Sequence, residues 1–441
     1  MRLRTPTASA ALATAAIATA LALALLLSGC GPSAIFGRTT PTASPTATLA
    51  PTAMPSPTPT LEPTPTPGPS QDRTLDCTFQ ASSGGATVQN ASDGNEATSW
   101  TSDRLASQTF DVAFPKDATV GGVYLQWARI PSEWTLSVRT ESGDWKVVHD
   151  QDDDAFLNDY VAFDEPCEAV RITADGTAQA VRLSEVTVYT RGRLPEHVQV
   201  WKEPGTDVDL MVVAAHPDDE FLYMGGTLPY YAGEKSLQVV VVYMTCYPEG
   251  RAFEALNALW ASGVTNYPVF GGFHDAKTFS LSAAKLHWNE SEVMGFLVGL
   301  LRRYKPKVAV SHDLAGEYGH GAHSLTAAWL LEAISYGPDA ARFPSSAAES
   351  GTFQVLKCYL HLYADNPVTM DWNTPLARFG GRTALEMARE SYALNLSQQQ
   401  YSPRVLDSGP YDCSRFGLVR SEVGPDVRKD DFFENVVLSG G

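Results

Sequence analysis

Val208-Asp-Leu-Met-Val-Val-Ala-Ala-His-Pro-Asp-Asp-Glu220 joins an apolar, β-branched run to an abrupt cluster of charge. A strand buried on both faces reads as such a continuous apolar run rather than as an alternation. The stretch therefore predicts a central strand ending at Ala215, with His216, Asp218 and Asp219 delivered together at its carboxyl end. Leu237-Gln-Val-Val-Val-Val-Tyr-Met244 is a second run of the same kind, and Lys307-Val-Ala-Val-Ser311 and Val355-Leu-Lys-Cys-Tyr-Leu-His361 read as further strands. Residues 252–262, 290–304 and 324–336 carry apolar side chains at helical spacing. The β-α-β-α order predicts an α/β domain over 205–441, a Rossmann-like, mostly parallel sheet with ligands gathered at the carboxyl ends of its strands.

A second polar cluster, His312-Asp-Leu-Ala-Gly-Glu-Tyr-Gly-His-Gly-Ala-His323, follows another of these strands and runs into a helix. His320 and His323, at i and i+3, share one side of a helical turn. A zinc hydrolase needs three N or O ligands, an open position for water and a separate base. Two adjacent aspartates pointing different ways after a stiff Pro217, plus a histidine pair at a second strand end, meet that need.

Ala215-His-Pro-Asp-Asp-Glu220 and Gly316-Glu-Tyr-Gly-His-Gly-Ala-His323 resemble the motifs of the PIG-L/LmbE family of zinc-dependent de-N-acetylases, over roughly 207–437. The resemblance implies His216, Asp219 and His323 as zinc ligands and Asp218 as general base. It places His320, expected as a cation, against the developing oxyanion or the leaving amine. It also implies a substrate of N-acetylglucosamine type. Arg251 occupies the place of a family arginine that contacts substrate, although the preceding Pro-Glu-Gly departs from the common wording. Asn395 stands ahead of Ser-Gln where a histidine is expected. His274, His287 and His361 read as structural or surface histidines, and His312 as a partner held behind the ligands.

Upstream, residues 73–192 change to short alternating runs such as Val120-Gly-Gly-Val-Tyr-Leu-Gln-Trp127 and Val181-Arg-Leu-Ser-Glu-Val-Thr-Val-Tyr189, which predict a β-sandwich. This unit is expected to fold by itself. Cys77 and Cys167, near its first and a late strand, are expected to form a bridge closing it. Ala91-Ser-Asp-Gly-Asn-Glu-Ala-Thr-Ser-Trp100 resembles the discoidin-like (factor 5/8 type C) domains. That resemblance implies surface-glycan binding and a structural calcium on Asp93, Thr98 and Glu185.

The N-terminus supplies the address. Arg2 and Arg4, an Ala/Leu-rich stretch and Leu27-Ser-Gly-Cys30 resemble a bacterial lipoprotein signal over 1–30, implying lipidation of Cys30. An uncleaved anchor is the other reading, and both place the remainder outside the cytoplasm. Residues 31–72 form a Pro/Thr-rich linker, with eleven prolines between Gly31 and Ser70, expected as a semi-extended stalk. After Cys30, five cysteines remain in a disulfide-permissive compartment. The net charge of −18, from 50 acidic against 32 basic residues, comes without a basic cluster and argues against a nucleic-acid partner. A rival to the enzyme is a glycan-binding surface lipoprotein whose second domain is only metal-stabilised.

Overall fold

The computed structural model describes residues 67–116, 119–150, 156–248 and 250–438. The signal segment, Cys30 and nearly all of the linker lie outside the described residues. Among the described residues, nine strands make the N-terminal sandwich: β1 (Thr78–Ala81), β2 (Trp100–Thr101), β3 (Gln108–Ala113), β4 (Val120–Arg129), β5 (Trp134–Arg139), β6 (Trp145–Asp150), β7 (Asn158–Ala162), β8 (Ala169–Ala174) and β9 (Arg182–Thr190). They form two antiparallel sheets, ordered β1-β3-β8-β5-β6 and β2-β9-β4-β7. Alternation explains the core between them: Phe110, Val112, Leu136, Val138 and Ile172 of one sheet join Val123, Leu125, Trp127, Val186 and Val188 of the other in one buried cluster.

The expected bridge between Cys77 and Cys167 is not made; both are free thiols, and Cys77 Sγ donates to the Arg73 carbonyl at 3.3 Å. The register gives the reason. Thr78 pairs with Ala113, and Ala113 with Ala169, so β3 lies between β1 and β8, the strands that follow the two cysteines. Two strand spacings amount to roughly 9.5 Å, beyond the reach of a disulfide.

The second half is an α/β layer structure: β10 (Leu210–Ala214), α1 (Asp219–Leu222), β11 (Val239–Tyr243), α2 (Arg251–Ala261), β12 (Val269–Phe270), α3 (Leu281–Ala284), α4 (Glu290–Tyr304), β13 (Val308–Ser311), α5 (Gly321–Tyr336), α6 (Pro344–Ser350), β14 (Lys357–His361), β15 (Pro367–Thr369), α7 (Ala384–Ala393) and β16 (Arg415–Ser421). The sheet runs β12-β11-β10-β13-β14-β16-β15. Its first five strands are parallel, and β16 pairs antiparallel with both β14 and β15. Burial on both faces is literal in β10: Leu210, Val212 and Ala214 face one core with Leu256 of α2 and Ala388 of α7. Met211 and Val213 face the other with Leu297 of α4 and Leu330 of α5.

Residues 67–438 belong to one compact unit, and the segment between the two sheet systems is pinned to both. Gln199 Oε1 accepts from Asn158 Nδ2 at 2.8 Å and from Trp201 Nε1 at 2.9 Å, while Gln199 Nε2 donates to Asn257 Oδ1 of α2 at 2.6 Å. Phe156 packs on Tyr267 with centroids 4.7 Å apart, and Trp201 meets Trp260 and Tyr267 edge-on at 5.3 and 5.7 Å.

Candidate active site

β10 ends at Ala214, and the chain turns sharply enough that Asp218, at the N-cap of α1, has φ 111°. A non-glycine residue in that region is strained, a cost tolerated mostly where geometry matters. The turn is tied down. Asp218 N–H donates to Glu220 Oε2 at 2.9 Å, and Tyr243 OH on β11 donates to Glu220 Oε1 at 2.7 Å. The neighbouring aspartates therefore diverge. Asp219 Oδ2 accepts the His216 N–H at 2.8 Å and lies 3.0 Å from His216 Nδ1, 3.4 Å from His323 Nε2 and 3.5 Å from His312 Nε2. Asp218 Oδ1 instead lies 3.4 Å from the guanidinium of Arg251, which also donates to the Pro217 carbonyl.

α5 supplies the opposite wall. His320 is its N-cap, His323 sits in its first turn, and their ring centroids are 4.5 Å apart. Gly316 permits the approach: at φ 71° it takes the left-handed conformation, and a Cβ there would collide with the His320 carbonyl. Sequence reasoning missed the residue that orients this wall, Glu317. Fully buried, its carboxylate lies 2.7 Å from His323 Nδ1, 2.9 Å from His312 Nδ1 and 2.7 Å from His361 Nδ1. An Nδ1–H donated to Glu317 leaves His323 Nε2 as a lone pair aimed at Asp219. The same bond on His312 leaves its Nε2 to accept the Ala215 N–H at 2.9 Å, so both of its ring nitrogens are engaged. Asp275, also missed, lies 3.3 Å from His216 Nε2.

Electrostatics separates the roles. Burial alone would raise the Asp219 carboxyl, but the His323 and His216 imidazoles hold it far below the usual carboxylate range. Burial and the adjacent Asp219 charge push Asp218 well up, with Arg251 opposing them. His216, which burial would lower, is raised to about 10 chiefly by Asp219. Burial, and then the His323 and His216 rings, push His320 down to about 3. This runs against the cationic His320 expected from the sequence, because a second positive charge beside two imidazoles in a desolvated wall is unfavourable.

The residues fit a metal ion. Ligand atoms of His216, His320 and His323, and of Asp219, His312 and His323, lie within 4.8 Å of one another. His323 Nε2 and His320 Nδ1 are buried without a hydrogen-bond partner among the described residues, and such orphans call for a ligand. Asp219 Oδ2, 3.0 and 3.4 Å from the His216 and His323 nitrogens, ties the two groups together.

The other predicted sites fall as follows. Arg251 is buried at the start of α2 beside Asp218, not on the surface. In the sandwich, Thr98 Oγ1 donates to Asp93 Oδ2 at 2.8 Å, and Asn95 N–H donates to both Asp93 Oδ1 (2.9 Å) and Glu185 Oε1 (2.8 Å), so the three expected calcium ligands share one loop environment. His361 lies behind the candidate ligands, on Glu317, and His274 and His287 are exposed. Asn395, fully buried, has neither side-chain polar atom paired among the described residues.

Residues 211–334 match the family model described as PIG-L: GlcNAc-PI de-N-acetylase, and residues 75–186 that described as F5/8 type C domain. The 1D-myo-inositol 2-acetamido-2-deoxy-alpha-D-glucopyranoside deacetylase 1 of Frankia casuarinae is 28% identical over 203 residues, 38% of this chain and 65% of that protein. The deacetylase of the same name, without the numeral, from Mycolicibacterium smegmatis is 30% identical over 161 residues, 30% of this chain and 54% of that protein. The chain thus spans a little over half to just under two thirds of the length of these relatives. Among solved structures, N,N'-diacetylchitobiose deacetylase from Pyrococcus horikoshii matches at 16% identity and TM-score 0.34, covering 44% of this chain and 72% of that one.

Proposed function

We propose that this chain, which carries a PIG-L domain over residues 211–334 and an F5/8 type C domain over residues 75–186, is a zinc-dependent hydrolase that removes the N-acetyl group from an N-acetylglucosamine-type glycoconjugate outside the cytoplasm. The observation that carries the reading is the divergence of two adjacent carboxylates, Asp219 turned to His216 and His323, and Asp218 turned away to Arg251. A pure binding scaffold has no use for a strained, buried acid beside its ligands.

His216, Asp219 and His323 would hold the zinc, which when bound supplies a Lewis acid to acidify water and polarise a carbonyl. Asp218 takes the proton of the attacking water, and its burial suits it to keep that proton until the departing amine nitrogen receives it. Arg251 steadies the ionised form of Asp218 before the proton arrives. Neutral His320 offers an N–H to the oxygen on which charge develops. Acetate and a free amine are the products.

Zinc-loaded protein incubated with N-acetylated glycans should release acetate, and Asp218→Asn should not. Metal uptake without acetate from any glycan would support the rival, a glycan-binding protein with a silent α/β domain. Export and lipidation are part of the proposal and rest on Leu27-Ser-Gly-Cys30; a Cys30→Ser chain that still took up labelled fatty acid would refute them.

A further inference from the structure

We infer that Tyr411, together with Tyr318, forms an aromatic subsite that stacks on the pyranose ring carrying the acetamide. The inference rests on the deacetylase reading above. Tyr318 precedes His320 by two residues and lies 5.6 Å, centroid to centroid, from both His320 and His323. Its φ of 49° is left-handed, a conformation that a bulky side chain takes up only when its surroundings hold it there. Although held so firmly, its side chain stays 44% exposed.

Tyr411 comes from a distant part of the chain, the turn ahead of β16, and meets Tyr318 edge-on at 6.4 Å with an interplanar angle of 87°. It is 37% exposed. Beneath both lies buried Tyr223, 6.4 Å from each ring and 5.5 Å from His323. Two tyrosine rings are thus left partly exposed beside the histidine cluster.

The backbone that follows Tyr411 is anchored on buried groups. The Asp412 carbonyl lies 3.1 Å from His361 Nε2, and His361 Nδ1 lies 2.7 Å from Glu317, the carboxylate that orients His323. Cys413 N–H donates to the Leu406 carbonyl at 2.8 Å, and the Cys413 carbonyl accepts from Trp372 Nε1 at 3.1 Å. An exposed aromatic held by buried neighbours loses little entropy when a ligand covers it. The apolar C–H face of a hexosamine ring fits such a wall, whereas an acyclic acetamide leaves it unused.

The test compares kcat and KM on di-N-acetylated β-1,4-glucosamine disaccharide and on N-acetylethanolamine for the zinc-loaded full chain, Tyr411→Ala and Tyr411→Phe, with zinc per chain measured in each. Tyr411→Ala should raise KM for the disaccharide and lower the preference for disaccharide over the acyclic compound about tenfold, the loss expected of one aromatic contact, with zinc retained. Tyr411→Phe should restore the preference. Equal losses on both substrates, or a phenylalanine variant as poor as alanine, would overturn the subsite. If the unmodified chain released acetate from neither compound, the deacetylase reading would fail, and disaccharide binding by calorimetry would decide the subsite: weaker binding in Tyr411→Ala alone sustains it, and no binding or no difference overturns it.

Discussion

Trp201→Ala is expected to destabilise the whole described chain and slow its chemistry, because the ring packs against Tyr267 and holds Gln199, the two residues that reach the sandwich through Phe156 and Asn158. Trp201 is 5% exposed and packs edge-on against Trp260 of α2 and against Tyr267. Removing a buried Trp costs about 3–5 kcal/mol. Loss of its N–H adds little, since Gln199 Oε1 keeps the bond from Asn158. Against a total of about 5–15 kcal/mol for an ordinary protein, that is a large share. α2 also begins at Arg251, which reaches Asp218 and the Pro217 carbonyl, so a loosened helix should lower kcat even on a small soluble acetamide. Urea unfolding followed by tryptophan fluorescence and by acetate release gives the assay. One shared transition, shifted in Trp201→Ala and only slightly in Trp201→Phe, is expected. Two separate transitions, with the activity transition unmoved, would refute the coupling and restore the independently folding sandwich that the sequence suggests.

Asp218→Asn should keep its metal and lose about 10² to 10⁴ in rate, since an amide accepts no proton; metal loss in step with activity, measured by elemental analysis, would exchange the roles of the two aspartates. His320→Ala should retain zinc with lowered kcat, whereas loss of zinc would make His216, His320 and His323 the ligand set. Glu317→Gln should weaken zinc affinity by about 10–100-fold through misorientation of His323, read in a chelator competition. Burial, with Asp93 nearby, raises Glu185 to about 7. The folded state therefore holds a proton that the unfolded chain has released between the ordinary glutamate range and pH 7, and this site's contribution to stability falls as pH rises through that window. Calcium should raise the melting temperature more at pH 8 than at pH 5 if Asp93, Thr98 and Glu185 bind it; an equal response at both pH values would count against that site.

The parallel strands were legible because each is buried on both faces and must be apolar at every position, as in Val239–Tyr243. The helix Glu290–Tyr304 has the bounds its spacing predicts, with Asn289 capping it through a 3.2 Å bond from Glu292 N–H. The antiparallel edge was not legible. β15 is three residues long, and β16 carries Gly417 where the backbone of Tyr363 and Asp365 crosses closely, so neither shows a period long enough to read. The disulfide expectation failed for a related reason: proximity to strand ends in sequence says nothing of strand order, and β3 was inserted between the two strands.

At the site, the meeting of His216, Asp219 and His323 was legible because polar side chains at the carboxyl ends of neighbouring parallel strands gather at one sheet edge. Glu317, Asp275 and Tyr411 act through position instead. Glu317 looked like one more acidic loop residue, and only the folded chain brings His312, His323 and His361, from three different elements, to its two oxygens. The charge on His320 was not legible for the same reason. Offset along a helix gave its place, but its protonation depends on two imidazoles and the burial that surround it, and one of those imidazoles, His216, comes from a strand end about a hundred residues away in the chain. Chemistry that resides in a single side chain is thus readable from its letter, whereas chemistry that resides in the field around a side chain needs the neighbours in place.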